Sequence, residues 1–209
     1  MKRFIAPIII LILATVGYFV AQELLSYRTA SFTFDQSVES ISIHSGEDSD
    51  EAMPSLKTLT PDDSSIRLKE GAYYYVPSGD GVSNVQIPFV VAGDIALTVK
   101  PDYSTDKLGE LATTELGAVQ GALLQKYPRV IDGFEVNNLA LFERGEWAGI
   151  ILTPVGMDTS NPEGYYRAIL HKVNSQWQVV GAPRIVLTID NTPTVSRELL
   201  TSVNELSLR

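Results

Sequence analysis

Residues 105–127 read "TDKLGELATTELGAVQGALLQKY". The apolar positions in it are Leu108, Leu111, Ala112, Leu116, Val119, Ala122, Leu123 and Tyr127. That is helical spacing, sustained over about five turns. Ser104 or Thr105 can cap the start, and Asp106 and Glu110 suit the positive end of a helix dipole. Pro128 ends it, because a proline has no N–H to continue the ladder. On both sides of this stretch the period is two rather than 3.6, so the helix marks the border between two kinds of structure.

Downstream, "FEVNNLALF" (134–142) turns through "ERGE" into "WAGIILTP" (147–154). A polar connection, "VGMDTSNPEG", leads to "YYRAILHKV" (165–173). A tight "NSQ" turn then gives "WQVVGAPRIVLT" (177–188). A long helix followed by an antiparallel meander is an α+β unit, expected over residues 105–189. The tail, 190–209, predicts a short amphipathic helix through Leu199, Leu200, Val203 and Leu206.

Upstream, "SFTF", "SVESISIH", "SIRLKEGAYYYVP", "NVQIPFVV" and "DIALTVKPDY" are short and bounded by turn residues. Ile66 and Leu68 share a face, as do Val85 and Ile87. Residues 31–103 therefore predict a small all-β sandwich. Ser45 to Ser65 is rich in Ser, Asp, Glu and Pro, and reads as a long exposed acidic loop. Gln22 to Ala30 reads as a helical extension.

The chain opens "MKRFIAPIIILILATVGYFVAQELLSYR", with no charge from Phe4 to Ala21. Eighteen residues span roughly 27 Å as a helix, and Leu24 and Leu25 extend that toward a bilayer core of about 30 Å. A cleaved signal peptide would want small residues before the cut, whereas Phe19, Val20 and Ala21 precede Gln22. The segment is expected to be a retained transmembrane helix over residues 4–25, in contact with membrane lipid. Lys2 and Arg3 leave residues 1–3 cytoplasmic and the remainder outside. The expected protein is a single-pass protein of the cell membrane.

The formal net charge is -9, and all 25 acidic residues follow the apolar run. Such a surface repels phosphate backbones and anionic lipid, which argues against nucleic-acid partners. The absence of cysteine excludes disulfides, thiolate metal sites and cysteine nucleophiles. "GEDSDE" (46–51) lacks the spacing of a calcium loop. The two histidines, His44 and His171, lie in different units, so no zinc site is expected. There is no G-x-S-x-G, P-loop or G-x-G-x-x-G. No cofactor and no metal are expected.

Residues 105–189 resemble the nuclear-transport-factor-like, cystatin-like family in the helix from Lys107, the strand pair meeting at "ERGEW" and the pair meeting at "NSQW". The resemblance implies a long helix packed into the concave face of a curled antiparallel sheet, with a cone-shaped pocket. "IRLKEGAYYYVPSGDG" resembles a PEGA-type surface module, a small β-sandwich of bacterial envelope proteins.

Some enzymes of the cone-shaped family place a carboxylate, a Tyr or a His inside it. Alternation puts Tyr165, Arg167, Ile169 and His171 on one face and Tyr166, Ala168, Leu170 and Lys172 on the other. Either Arg167 and His171 point into a cavity, or they face solvent over a core of Tyr166, Ala168 and Leu170. Glu135 is the one carboxylate within the strands predicted for this domain. Trp147 and Trp177 each start a strand after a turn, where a ring frames a pocket or covers the core edge. In "AYYYV", Tyr73 and Tyr75 share a face and Tyr74 takes the other, either as a contact patch or as one buried and two half-exposed rings.

The candidate pocket residues are thus Trp147, Tyr165, Arg167, His171 and Trp177, with no catalytic set among them. The expected function is a non-enzymatic module of the bacterial envelope, binding other envelope proteins or a small molecule. The alternatives are an enzyme using the cone, with His171 as base and Arg167 as anion clamp, and a structural subunit of a membrane complex.

Overall fold

The computed structural model describes residues 26–46, 54–128, 133–156 and 164–208. The expected anchor at 4–25 lies outside the described residues, as does most of the acidic "GEDSDE" run. Among the described residues, no helix is long and apolar enough to cross a membrane. The described residues are mostly β, with one long helix and one short one, and the chain divides into two compact units between Pro101 and Asp102.

The first unit holds two sheets. One has three strands, with β1 (Tyr27–Phe34) between β4 (Ser65–Lys69) and β7 (Ile95–Val99). β1 runs antiparallel to β4 and parallel to β7. The other is antiparallel, in the order β3 (Lys57–Leu59), β2 (Ser40–Ser45), β5 (Gly71–Ser78), β6 (Ile87–Val91). Both contribute to one core: Ala30, Phe32, Leu68 and Val99 from the first, Ile41, Ile43, Tyr75 and Phe89 among others from the second. Phe32 stands edge-on to Tyr75 at 6.0 Å and to Phe89 at 5.7 Å, so aromatic quadrupoles tie the two sheets together.

Four local expectations are corrected here. Tyr27–Ala30 is strand rather than helical extension, because the alternation that buries Phe32 already buries Ala30 and exposes Thr29. The Ser45–Ser65 stretch is not loop throughout. Lys57–Leu59 pairs with β2 and sinks Leu59 completely, and the turn after it is held by a Lys57–Asp63 ion pair of 2.7 Å. All three tyrosines of β5 are buried; Tyr73 and Tyr75 enter the core, while Tyr74 stacks on His44 from the neighbouring strand at 4.8 Å. Of Val85 and Ile87, only Ile87 is in a strand, and Val85 is exposed.

The second unit begins with α1 (Thr105–Lys126). The Ser104 hydroxyl accepts from the Lys107 N–H at 3.2 Å, meeting one of the orphan donors of the first turn. Four strands follow as an antiparallel sheet in the order β11-β10-β9-β8: β8 (Phe134–Phe142), β9 (Trp147–Pro154), β10 (Tyr166–Val173) and β11 (Gln176–Arg184). β10 and β11 are joined through Asn174 and Ser175, both at positive φ (49° and 64°), as a type I′ hairpin turn requires. α1 lies closer to the outer strands β8 and β11 than to the central pair. The core on that face joins Ala112, Val119 and Leu123 to Leu139, Ile150, Leu170 and Val179.

The other face is also covered. α2 (Arg197–Asn204), capped by Ser196, packs Leu199, Leu200 and Val203 against Ile169 and Leu187. This is the amphipathic tail helix expected from sequence. It comes so close that a Cβ on Gly149 would stand 2.7 Å from a Val203 methyl, a separation only glycine tolerates. The last predicted strand is shorter than expected. β11 ends at Arg184, after a register shift in its pairing with β10 and after Pro183, which has no N–H to donate. Ile185 and Val186 are then exposed, while Leu187 joins the second core.

Candidate functional site

The five residues singled out from sequence fall on both faces of the sheet. Trp147, Tyr165, Arg167 and His171 belong to the face carrying α2, and Trp177 to the face carrying α1.

Arg167 is 7% exposed. Its Nη1 donates to the Ile185 carbonyl at 2.7 Å, and its Nη2 to the Tyr165 hydroxyl at 3.1 Å and the Leu206 carbonyl at 3.4 Å. The guanidinium also lies over the Tyr165 ring, 4.8 Å from its centre. It binds two chain segments to the sheet through backbone oxygens. His171 stands four residues along the strand, about 13 Å away. There it stacks on Trp147, its cross-strand neighbour, at 4.1 Å and 14°. Arg167 and His171 therefore share a face but not a set of neighbours. Neither lines any of the clefts described below.

Trp177 is buried, and its indole N–H donates to the Glu115 carboxylate at 2.7 Å. Lys172 donates to the other oxygen of Glu115 and lies 5.3 Å from the Trp177 ring centre. Hydrogen bonds from Lys172 and from Trp177 hold the Glu115 carboxyl below the usual carboxylate range. Glu115 was not among the residues chosen from sequence. Its one signal there was an acid lodged between Leu111 and Leu116 on the apolar side of α1. At the far end of the helix, Lys126 donates to the Val179 carbonyl at 2.7 Å and the Tyr127 hydroxyl to the Gly181 carbonyl at 3.2 Å. The α1–β11 side is thus tied by polar fastenings, beside a cleft of about 390 Å³ lined by Ala122, Gln125, Lys126, Trp177, Gln178 and Val179.

The α1–β8 side is open. Three clefts run along it, of about 330, 210 and 320 Å³. The first and second share Gly109, Ala112 and Leu139, and the second and third share Val136, so they form one groove. Leu116 and Leu124 border it, 36% and 43% exposed. Leu116 belongs to the predicted buried stripe, but the small residues Gly109 and Ala112 beside it leave the groove unfilled. Within the described residues β8 pairs with β9 alone, and it carries a bulge between Val136 and Asn138. Among the described residues, the single titratable side chain lining the groove is Glu135. Leu, Ala, Val and Phe side chains share its walls with Thr105, Thr113, Gln120 and Asn137, and the carboxylate lies at one end. A separate cleft of about 560 Å³ lies beside Tyr166, Arg184, Ile185 and Asp190. Among the described residues no group of three His, Asp or Glu is placed to hold a metal ion.

No protein-family model and no curated protein matches this chain. Among solved structures it is similar to a DUF3823 family protein from Bacteroides ovatus ATCC 8483, at 12% identity. That match covers 74% of this chain and 96% of the other, with a TM-score of 0.25.

Proposed function

We propose that this chain is a membrane-anchored, extracytoplasmic binding module of the bacterial envelope, without enzymatic activity of its own. Residues 4–25 hold it in lipid, and the groove between α1 and β8 takes an apolar segment of another envelope protein. The observation that carries this reading is the open side of α1, where Leu116 and Leu124 are left uncovered beside an outer strand. An extended segment laid there would cover these side chains and add hydrogen bonds along β8, the usual economy of strand addition.

The finer fold assignment belongs to the same reading. Residues 105–189 follow the nuclear-transport-factor-like, cystatin-like plan, supported by the helix against a four-stranded sheet. Residues 31–103 follow the plan of a PEGA-type sandwich, supported by two sheets sharing one core.

The test is site-specific photo-crosslinking of the full chain in its own membrane, with the probe at Leu116, at Leu124 or at exposed Ile185. Probes at 116 and 124 are expected to yield a defined adduct that a Leu116→Lys variant abolishes for the probe at 124. Adduct patterns identical to that of the Ile185 probe would refute the groove as the binding surface.

A further inference from the structure

Three buried polar atoms in the second unit have no hydrogen-bond partner: Nε of Arg167, Oδ1 of Asn138 and Oγ1 of Thr153. Each of the three residues is less than a tenth exposed. Strand register sets them together. Asn138 lies opposite Ile151, and Ile151 opposite Arg167. Asn138 and Arg167 therefore flank Ile151 across three adjacent strands, about 10 Å apart at Cα. Thr153 lies two residues along β9 from Ile151, on the same face and roughly 7 Å away.

The C-terminal segment passes over the same place. The Asn138 amide donates to the Ser207 carbonyl at 2.8 Å, and Arg167 donates to Leu206. The Asn138 bond also fixes which end of the amide is which, since the nitrogen must face Ser207 and the oxygen is left over.

A buried polar atom without a partner is costly and rare, and three around one neighbour point to a missing fourth group. The three atoms state its chemistry. Arg167 Nε–H can only donate, Asn138 Oδ1 can only accept, and the Thr153 hydroxyl can do either. An anion would meet the amide oxygen, and a cation would meet the guanidinium. Water accepts from the one and donates to the other.

We propose that Arg167, Asn138 and Thr153 line an internal hydration site under residues 204–208, occupied by ordered water that accepts from Arg167 Nε–H and donates to Asn138 Oδ1. The water completes the attachment of the C-terminal segment, since Arg167 and Asn138 also hold that segment directly.

A crystal structure of the full chain in detergent, at a resolution that shows waters, tests this. A water peak within about 2.7–3.2 Å of at least two of the three atoms is expected. A dry space, or the three side chains turned onto one another, would overturn the proposal. A urea titration of Thr153→Val gives a second reading that needs no crystal. With water present, valine removes a hydrogen bond, and the folding equilibrium constant is expected to stay level or to fall by up to about tenfold. With no water, valine relieves an unmet hydroxyl, and a rise of about tenfold would count against the site.

Discussion

Arg167 and Glu115 show how a charged residue inside a small unit acquires a structural duty. Arg167 holds the Ile185 and Leu206 carbonyls, and Glu115 holds Lys172 and Trp177. Because the carboxyl of Glu115 is depressed in the folded chain, its contribution is complete above the unfolded value of about 4.3 and fades as pH falls through the lower folded value. Glu115→Gln is expected to lower stability at pH 7 by about 1–3 kcal/mol. The gap between variant and wild type should narrow as pH falls below the unfolded value, as read from urea midpoints followed downward from pH 7. Gly149→Ala is a second case. The new methyl would drive into Val203 and Phe142. A loss of about 1–3 kcal/mol is expected, the usual cost of overpacking, measured as a drop in thermal midpoint without change in the far-ultraviolet spectrum.

At the scale of the element, α2 is the piece whose docking decides whether the second face of the sheet is covered. Val203 is fully buried there, and Ser196 caps the start by accepting from the Leu199 N–H at 3.2 Å. Ser196→Ala should cost about 1 kcal/mol and Val203→Ala somewhat more. Hydrogen exchange is expected to report both as faster amide exchange in residues 197–204 before any change in β2 or β5. The helices were legible in the sequence from their spacing, Leu108 to Leu123 and Leu199 to Val203, and most strands from short apolar runs bounded by turn residues, although β10 is buried on both faces from Arg167 to Leu170 and β8 is bulged. The sequence is least legible where period is short or contradicted. Lys57–Leu59 is three residues long, with one buried side chain to announce it. "RIVLT" has the composition of a strand, yet it follows Pro183 and a register shift, features of pairing rather than of local sequence. The candidate site was less legible. Which face of β10 meets α1 can be guessed from alternation, but that the C-terminal segment would cover Arg167 depends on contacts 39 residues apart. The groove beside β8 arises from the absence of bulk at Gly109 and Ala112, and no single residue type signals a space.

At the scale of the whole molecule, the reading rests on residues 4–21 staying in lipid with Lys2 and Arg3 behind them. Protease added to intact cells is expected to remove the carboxyl-terminal epitope, and a Lys2→Glu, Arg3→Glu variant should protect a larger share of it. Resistance of the native chain to external protease would refute the orientation. The pairing of β1 carries a different consequence. This first strand sits in the middle of its sheet, and its parallel neighbour supplies Ile95 opposite Ala30. A gap of 65 positions separates those two residues. At a ribosomal pace of about 5–20 residues per second, β1 is exposed for roughly 3 to 13 s before that neighbour has even been made. The unit therefore cannot close its sheet progressively as it emerges. Its oldest strand must wait, half-paired and open to chaperones or to an identical nascent chain, for its youngest.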